Sequence, residues 1–307
     1  MAADNYKTVL LTGGTGFIGR KLCDLLLNQG HSVLCLSRQK NHPKCSNSKR
    51  FKLINTLDEL DHLTPPDWVI NLAGAPILDR PWTRKRKVLL RQSRITLTVE
   101  LVNKLAHFER APEVMISGSA IGYYGDTHNT IVDEHAPAAQ DFAAQLCNDW
   151  EQAAQAVTSL GTRLCLLRTS IVLGPNGGIL ARMLLPFKLG LGGKLGSGQQ
   201  WMSWISLDDI CRLILFLAEK PYCSGPFNAC TASSVTNAEF TQTLGRLVHR
   251  PTFFTMPAFI LKVLLGDASS LLLSNQQVTP QKASEAGFSF QDNKLDVALK
   301  RCLIKQD

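Results

Sequence analysis

No stretch of the chain approaches eighteen consecutive apolar residues, so no transmembrane helix and no membrane partner are expected. Met1 to Tyr6 is polar and the apolar run after Lys7 is short, so no secretory leader is expected either. The nine cysteines are scattered, odd in number and without a C-x-x-C pair, which argues against a disulfide framework and a zinc site. They suit a reducing, cytoplasmic compartment. The seven histidines form no H-x-x-x-H pair, and no metal is expected. Acid is also missing at one telling place: no Asp or Glu lies between Ser32 and Lys40.

What is present is an ordinary globular composition. At 307 residues and 45% apolar content the chain can hold one large domain, alone or with a small appendage. Lys and Arg number 33 against 25 Asp and Glu, a net charge of +8. Much of that excess sits in Arg80-Pro81-Trp82-Thr83-Arg84-Lys85-Arg86-Lys87, with Arg91 and Arg94 beyond it. It reads either as a solvated helix face or as a surface that attracts an acidic ligand. No nucleic-acid module accompanies it, so no nucleic-acid partner is expected.

Near the start, Val9-Leu10-Leu11-Thr12 runs directly into Gly13-Gly14-Thr15-Gly16-Phe17-Ile18-Gly19. Gly14, Gly16 and Gly19 satisfy G-x-G-x-x-G, and Gly13, Gly16 and Gly19 the looser G-x-x-G-x-x-G. Such a turn lets the backbone approach a pyrophosphate and starts a helix whose N-terminal dipole faces that anion. Spacing alone is weak, since three fixed glycines arise by chance in roughly one chain of this length in ten. Gly190, Gly193 and Gly196 show the same looser spacing in a loop that no strand precedes. Context distinguishes the first copy. Thr8 to Leu11 reads as a strand, Arg20 to Asn28 as a helix ended by Gly30, and His31 to Leu36 as a second strand. That is a βαβ unit built for a dinucleotide, with Gly13, Thr15, Gly16, Phe17, Ile18 and Gly19 as its contact residues.

Strand and helix signals then alternate, the pattern of a parallel α/β sheet. Arg50 to Ile54, Trp68 to Leu72, Val114 to Ser117 and Arg163 to Arg168 read as strands. Val88 to Phe108 and Ala138 to Ser159 read as helices. From Gly174 a glycine-rich excursion surrounds a helical segment, Ile179 to Leu189. Leu207 to Glu219 is helical, Pro226 to Asn228 a short strand, and the last seventy or so residues mostly helix, with Asn237 as a helix cap.

In a doubly wound sheet ligands bind beyond the carboxyl ends of the strands. After the second strand come Ser37 and Arg38. An acid there would hold a ribose 2′-hydroxyl, whereas a cation suits a 2′-phosphate, so NADP(H) is the expected cofactor, the alternative being an ordinary exposed arginine. After the fourth come Asn71, Leu72, Ala73 and Gly74, small enough for the riboses to pass close to the backbone. Ser117-Gly118-Ser119-Ala120-Ile121-Gly122-Tyr123-Tyr124-Gly125 follows the fifth strand, and Thr169 to Pro175, which includes Val172, the sixth.

These strand ends, together with Trp204 to Asp209, resemble the extended short-chain dehydrogenase/reductases, the group of nucleotide-sugar epimerases and dehydratases. Arg80 to Thr83, Ser117 to Asp126, Leu189 to Gly198, Asn237 to Phe240 and Ala286 to Phe288 are similar to the branch called epimerase family proteins. The resemblance runs from Val9 to about Leu299, and its closing segment is similar to their C-terminal domain of unknown function. It implies a Rossmann-type doubly wound parallel sheet over residues 1–232, with 174–206 on the substrate side, and a small, mostly helical C-terminal domain over 233–307. It also implies that Leu72, Ala73, Gly74, Ser117, Gly118, Val172 and Arg94 contact the cofactor. For Arg94 the alternative is one more member of the basic face. Relatives often pair through the helices after the fourth and fifth strands, so the assembly is expected to be a monomer or a homodimer.

One departure from the group stands out. Its members carry Tyr-x-x-x-Lys on the helix after the fifth strand, where the tyrosine exchanges a proton and the lysine lowers its pKa and binds the nicotinamide ribose. Aligned on Glu151, Ala143 stands at the tyrosine position and Cys147 at the lysine position, and no tyrosine or lysine occurs between Ala138 and Ser159. Ser119, Tyr123 and Tyr124 are the remaining candidates for acid chemistry. A free phenol near pKa 10 is only about a thousandth ionised at pH 7. Work as a base would therefore need a nearby cation, with Arg182, Lys188 or Lys194 as sources. The alternative for the tyrosines is packing in the substrate wall, and Cys147 reads as a buried, inert thiol. Two functions follow: an NADP(H)-binding oxidoreductase or epimerase-like enzyme for a small polar substrate, such as a carbonyl compound or a nucleotide sugar, or a non-catalytic NADP(H) sensor.

Overall fold

The computed structural model describes residues 6–39 and 48–304. Cys45 and the ends of both expected domains (1–5 and 305–307) lie outside the described residues. Seven parallel strands form the central sheet: β1 (Thr8–Thr12), β2 (Ser32–Leu36), β3 (Phe51–Ile54), β4 (Trp68–Asn71), β5 (Val114–Ala120), β6 (Arg163–Thr169) and β7 (Gly225–Ala229). Their order is β7-β6-β5-β4-β1-β2-β3, so the chain reverses direction across the sheet between β1 and β4. That is the doubly wound arrangement expected, and it opens a crevice beyond the carboxyl ends of those two strands.

Side-chain alternation along the strands builds the two faces. Val9 and Leu11 of β1 join one core with Leu22, Cys23 and Leu26 of α1 (Phe17–Asn28) and the apolar stripe of α6 (Leu207–Glu219). Leu10, between them, joins the other core with Leu101, Val102 and Leu105 of α3 (Leu97–Leu105) and Ala154 of α4 (Phe142–Gln155). With both faces covered, the central strands β1, β2 and β4 are mainly apolar, and removing any of these buried leucines costs about 2–5 kcal/mol.

The expected helix from Val88 differs in two ways. It starts earlier, as α2 (Arg84–Arg91), because the Thr83 hydroxyl accepts the Arg86 N–H at 3.2 Å and caps it. A π turn, Gln92–Thr96, then separates α2 from α3. Such a widened turn re-aims the side chains it carries, here including Arg94. The basic stretch is partly neutralised within the chain: Arg86 pairs with Asp79, Lys87 with Asp267 at 2.6 Å, and Arg91 with Asp149 at 2.6 Å.

Beyond β6 the excursion folds as a strand (Ile171–Leu173), α5 (Gly178–Lys188) and short strands at Gly193–Leu195, Trp201–Met202 and Trp204–Ser206. α7 (Asn237–Leu247) is capped by Thr236 rather than Asn237. The Thr236 hydroxyl accepts from Glu239 N while the Glu239 carboxylate accepts from Thr236 N, and Asn237 instead accepts the Leu195 N–H at 2.8 Å. The C-terminal region adds α8 (Ala258–Leu265), a 3-10 turn (Gly266–Ser269), α9 (Ser270–Leu273), α10 (Gln281–Glu285) and α11 (Leu295–Ile304).

His31, buried at the start of β2, accepts the Lys7 N–H on Nδ1 at 3.0 Å and stacks near Trp68. Burial lowers its pKa below the usual 6.5, against the attraction of Glu219. The unfolded chain therefore binds the proton more tightly, and stability should be full above pH 6.5 and fall as pH drops through the folded-state value. Urea unfolding between pH 5 and pH 7.5 should show that loss, and His31→Gln should flatten it. An unchanged pH profile in the variant would assign the loss to other groups.

Candidate cofactor cleft and reactive centre

The glycine turn is shaped by close approach. Gly13 has φ +71°, and a Cβ there would lie 2.8 Å from the Leu72 carbonyl carbon. A Cβ on Gly19 would lie 2.2 Å from the Gly13 carbonyl oxygen, so the first turn of α1 can press onto the loop only if residue 19 has none. α1 begins at Gly16 with no side-chain cap and no acid in its first turn. Its dipole and leading N–H groups are thus left for an anion.

Above this turn lies a cavity of about 770 Å³. Gly13, Thr15, Gly16, Ser37, Arg38, Leu72, Ala73 and Gly74 all line it. The volume and the Cβ-free cradle fit an extended dinucleotide. Hydrogen bonds fix the walls: Thr15 Oγ1 lies 3.1 Å from Ser37 Oγ, and Thr12 Oγ1 donates to Asn71 Oδ1 at 2.7 Å while accepting from Ala73 N at 3.1 Å. Arg38 is exposed at the rim. Phe17, Ile18 and Gly19 lie in the first turn of α1 behind this lining, and the Phe17 ring packs against Gly174, Gly177 and Gly178. Val172 lies half-buried on the strand beyond β6. Ser117 is buried within 3.4 Å of Asn71 Nδ2, and Gly118 lies under the Trp150 ring.

The far wall was not anticipated. Asn55, which donates to the Ser37 carbonyl at 2.7 Å, Leu57, Lys104 and His107 also line the cleft. Lys104 binds Asp61 at 2.6 Å and Asp58 at 3.2 Å, tying α3 to the turn after β3. Lys104 and His107 are one helical turn apart, a spacing that on its own reads as a solvated face.

The strand-five residues meet a different environment. Ser119 Oγ donates to Glu151 Oε1 at 2.6 Å. Arg168, at the end of β6, clamps the same carboxylate with both prongs, Nε to Oε1 and Nη2 to Oε2, each at 2.9 Å. Its Nη1 donates to the Tyr124 hydroxyl at 2.9 Å, and that hydroxyl donates onward to Asn228 Oδ1 at 2.7 Å. The guanidinium also lies 3.6 Å over the Tyr123 ring. The pair is almost fully buried, with side-chain exposures of 4% and 9%. The cation beside the tyrosines is therefore Arg168, not one from the excursion, where Arg182 donates to the Leu78 carbonyl at 2.8 Å. Burial pushes the Tyr124 phenol up to about 12, outweighing the opposite pull of Arg168.

Next to this network, Ala143 and Leu146 of α4 join Ala75, Trp82, Leu90 and Ala268 in an apolar cluster. Leu271 of α9 approaches Gly122 from the C-terminal region, as Ala143 and Cys147 do from α4, and packs against the cluster that holds Ala143. Cys147 is buried and its thiol is pushed up to about 12, chiefly by burial. Arg94 stacks 5.3 Å from the Trp150 ring and donates to the Ala75 carbonyl at 3.0 Å. Among the described residues, no group of three His, Cys, Asp or Glu side chains could hold a metal ion, and no helix is long and apolar enough to cross a membrane.

Two family models match the chain: the NAD dependent epimerase/dehydratase family over residues 9–230, and a domain of unknown function, DUF1731, over 256–302. An epimerase family protein of Mycobacterium bovis is 40% identical over 294 residues, covering 95% of this chain and 96% of its own. A chloroplastic epimerase family protein of Arabidopsis thaliana is 37% identical over 294 residues, covering 94% and 84%. The crystal structure of human epimerase family protein SDR39U1 (isoform 2) with NADPH superposes with a TM-score of 0.86 at 32% identity, over 96% of this chain and 98% of that one.

Leaving either partner of the Arg168–Glu151 pair buried alone is costly. Glu151→Ala should lower stability by about 3–5 kcal/mol in urea denaturation. A loss below about 1 kcal/mol would show that the pair is not the buried anchor its geometry describes.

Proposed function

The chain belongs to the NAD-dependent epimerase/dehydratase family, and on that premise we propose that it is an NADP(H)-dependent oxidoreductase acting on a small carbonyl or sugar-like substrate. The observation that carries the cofactor choice is the rim of the cleft, where Ser37 and Arg38 stand just beyond the end of β2 and the segment from Ser32 to Gln39 holds no acid. The human relative solved with NADPH supports the same choice.

In this reading the residues divide the cofactor among them. The Gly13–Gly19 turn and the bare start of α1 receive the pyrophosphate. Ser37 and Arg38 hold the 2′-phosphate, and Leu72 to Gly74 lie along the riboses. When bound, the nicotinamide supplies the hydride. Ser119 and Tyr124 are engaged in the Arg168–Glu151 network and serve to shape the centre. Tyr123, half-buried beneath the Arg168 guanidinium, is then the proton donor of this reading. The scattered cysteines, eight of them buried among the described residues, support a reducing, cytoplasmic setting.

A second reading, a protein that binds NADP(H) and signals its redox state without turnover, is favoured by the engagement of Ser119 and Tyr124. NADPH consumption across a panel of carbonyl and sugar substrates separates the two. Turnover sensitive to Tyr123→Phe supports the enzyme, and micromolar NADPH binding with no turnover supports the sensor. For the cofactor itself, Arg38→Glu should weaken NADPH by about 10- to 100-fold while leaving NADH within about threefold, measured by fluorescence titration. Equal affinity for both cofactors, unaltered by the substitution, would contradict the assignment.

A further inference from the structure

Large apolar side chains exposed one at a time are ordinary, whereas a group of them in one place marks a contact surface. Three neighbouring segments of the excursion and the C-terminal region carry such a group. Leu185, Leu189 and Leu191 stand exposed at the end of α5 and just beyond it. Phe253 and Phe254 are exposed in the second segment, Phe253 by 89%. The strand Phe254–Met256 pairs with Gly193–Leu195, and Arg250 Nε donates to the Lys188 carbonyl at 2.9 Å, so the fold holds this segment against the first. α8 follows, with Ala258 beside Gly196, and presents Phe259, Val263 and Leu264 to solvent, Val263 by 81%. Phe259 and Val263 share one face of the helix, while Leu261 turns inward and is buried.

The charge around this group has one sign. No Asp or Glu occurs in residues 152–207 or 240–266, the stretches that hold Arg182, Lys188, Lys194, Arg246, Arg250 and Lys262. All six of these cations are exposed, and among the described residues none is paired with a carboxylate. The acid that follows, Asp267, binds Lys87 at 2.6 Å. An acid-free patch of this kind does not suit a second copy of the chain, which would set the same cations against one another. It suits a partner that is apolar beneath and anionic above. We propose that this face docks onto an anionic lipid bilayer, with Phe253, Phe259 and Val263 in the boundary between headgroups and acyl chains and Lys188, Arg250 and Lys262 at the lipid phosphates. The missing apolar span, the ground on which no membrane partner was expected, does not bear on a protein that lies on the surface. None of the residues lining the cofactor cleft belongs to the patch, so the proposal stands apart from the NADP(H) reading.

Co-sedimentation of the full-length protein tests it, with vesicles of phosphatidylcholine alone and of phosphatidylcholine mixed with phosphatidylglycerol. Binding should be at least about tenfold tighter to the mixed vesicles and should weaken as salt rises. Lys188→Gln with Lys262→Gln should weaken it by about 10- to 30-fold. Phe253→Ser with Phe259→Ser and Val263→Ser should abolish it. All five side chains are exposed, so circular dichroism and thermal melting of both variants should match the unsubstituted protein. No binding to the mixed vesicles, binding indifferent to lipid charge, or binding that the folded triple variant retains would overturn the proposal. A dimer in sedimentation velocity that the triple variant dissolves, with no vesicle binding, would overturn it in favour of a second copy.

Discussion

The buried Arg168–Glu151 pair is the constraint on which the arrangement of the strand ends around Ser119 and Tyr124 depends. It joins the end of β6 to the middle of α4 and, through Ser119, Tyr124 and Asn228, to the ends of β5 and β7. A desolvated pair repays its cost only when its geometry is excellent and the remaining polar atoms are satisfied. Here the bidentate clamp, the Ser119 hydroxyl and the Tyr124 phenol meet that requirement together. The result is a rigid floor beneath the strand ends, in which a serine and a tyrosine that look available for chemistry are spoken for.

That floor gives the molecule an uneven character. Its cofactor end follows the common logic of the fold: a Cβ-free turn, an uncapped helix start, small residues after β4 and a cation after β2. Its strand-five end has an alanine and a thiol on α4, which with Leu271 from the C-terminal region surround Gly122. The C-terminal region therefore contributes to this part of the structure, where Trp82, Leu146 and Ala268 belong to one buried apolar cluster.

How much of this was legible in the sequence follows from the range of the interactions. The glycine turn and the small residues after β4 are local, and spacing plus flanking strands located them. Arg38 stood out because a cation replaces an acid at a defined distance from the turn, and the structure puts it in the lining of the cleft. The network was not. Ser119 and Tyr124 stand out in sequence, but their partners lie 32 residues away at Glu151 and 104 residues away at Asn228, and only folding shows which hydroxyl is free. The π turn at Gln92–Thr96 leaves the helical periodicity nearly intact, so one unbroken helix was the natural reading. Asn237 looked like a cap because asparagine favours that position, yet Thr236 and Glu239 complete a reciprocal pair that a single residue cannot. Lys104, on α3, and His107, just past its end, are polar residues that read alike in sequence whether they meet solvent or line a cleft.

The central claim is that Tyr124 is a structural phenol held by Arg168 and Asn228, not the proton-transfer tyrosine of the centre. The chain has only four tyrosines, so ¹³Cζ-labelled tyrosine can be followed by NMR from pH 6 to pH 10, with Tyr124→Phe giving the assignment. The account predicts that the Tyr124 resonance stays at its protonated shift throughout, consistent with a pKa raised to about 12, with or without NADPH. A titration step near neutral pH would contradict it.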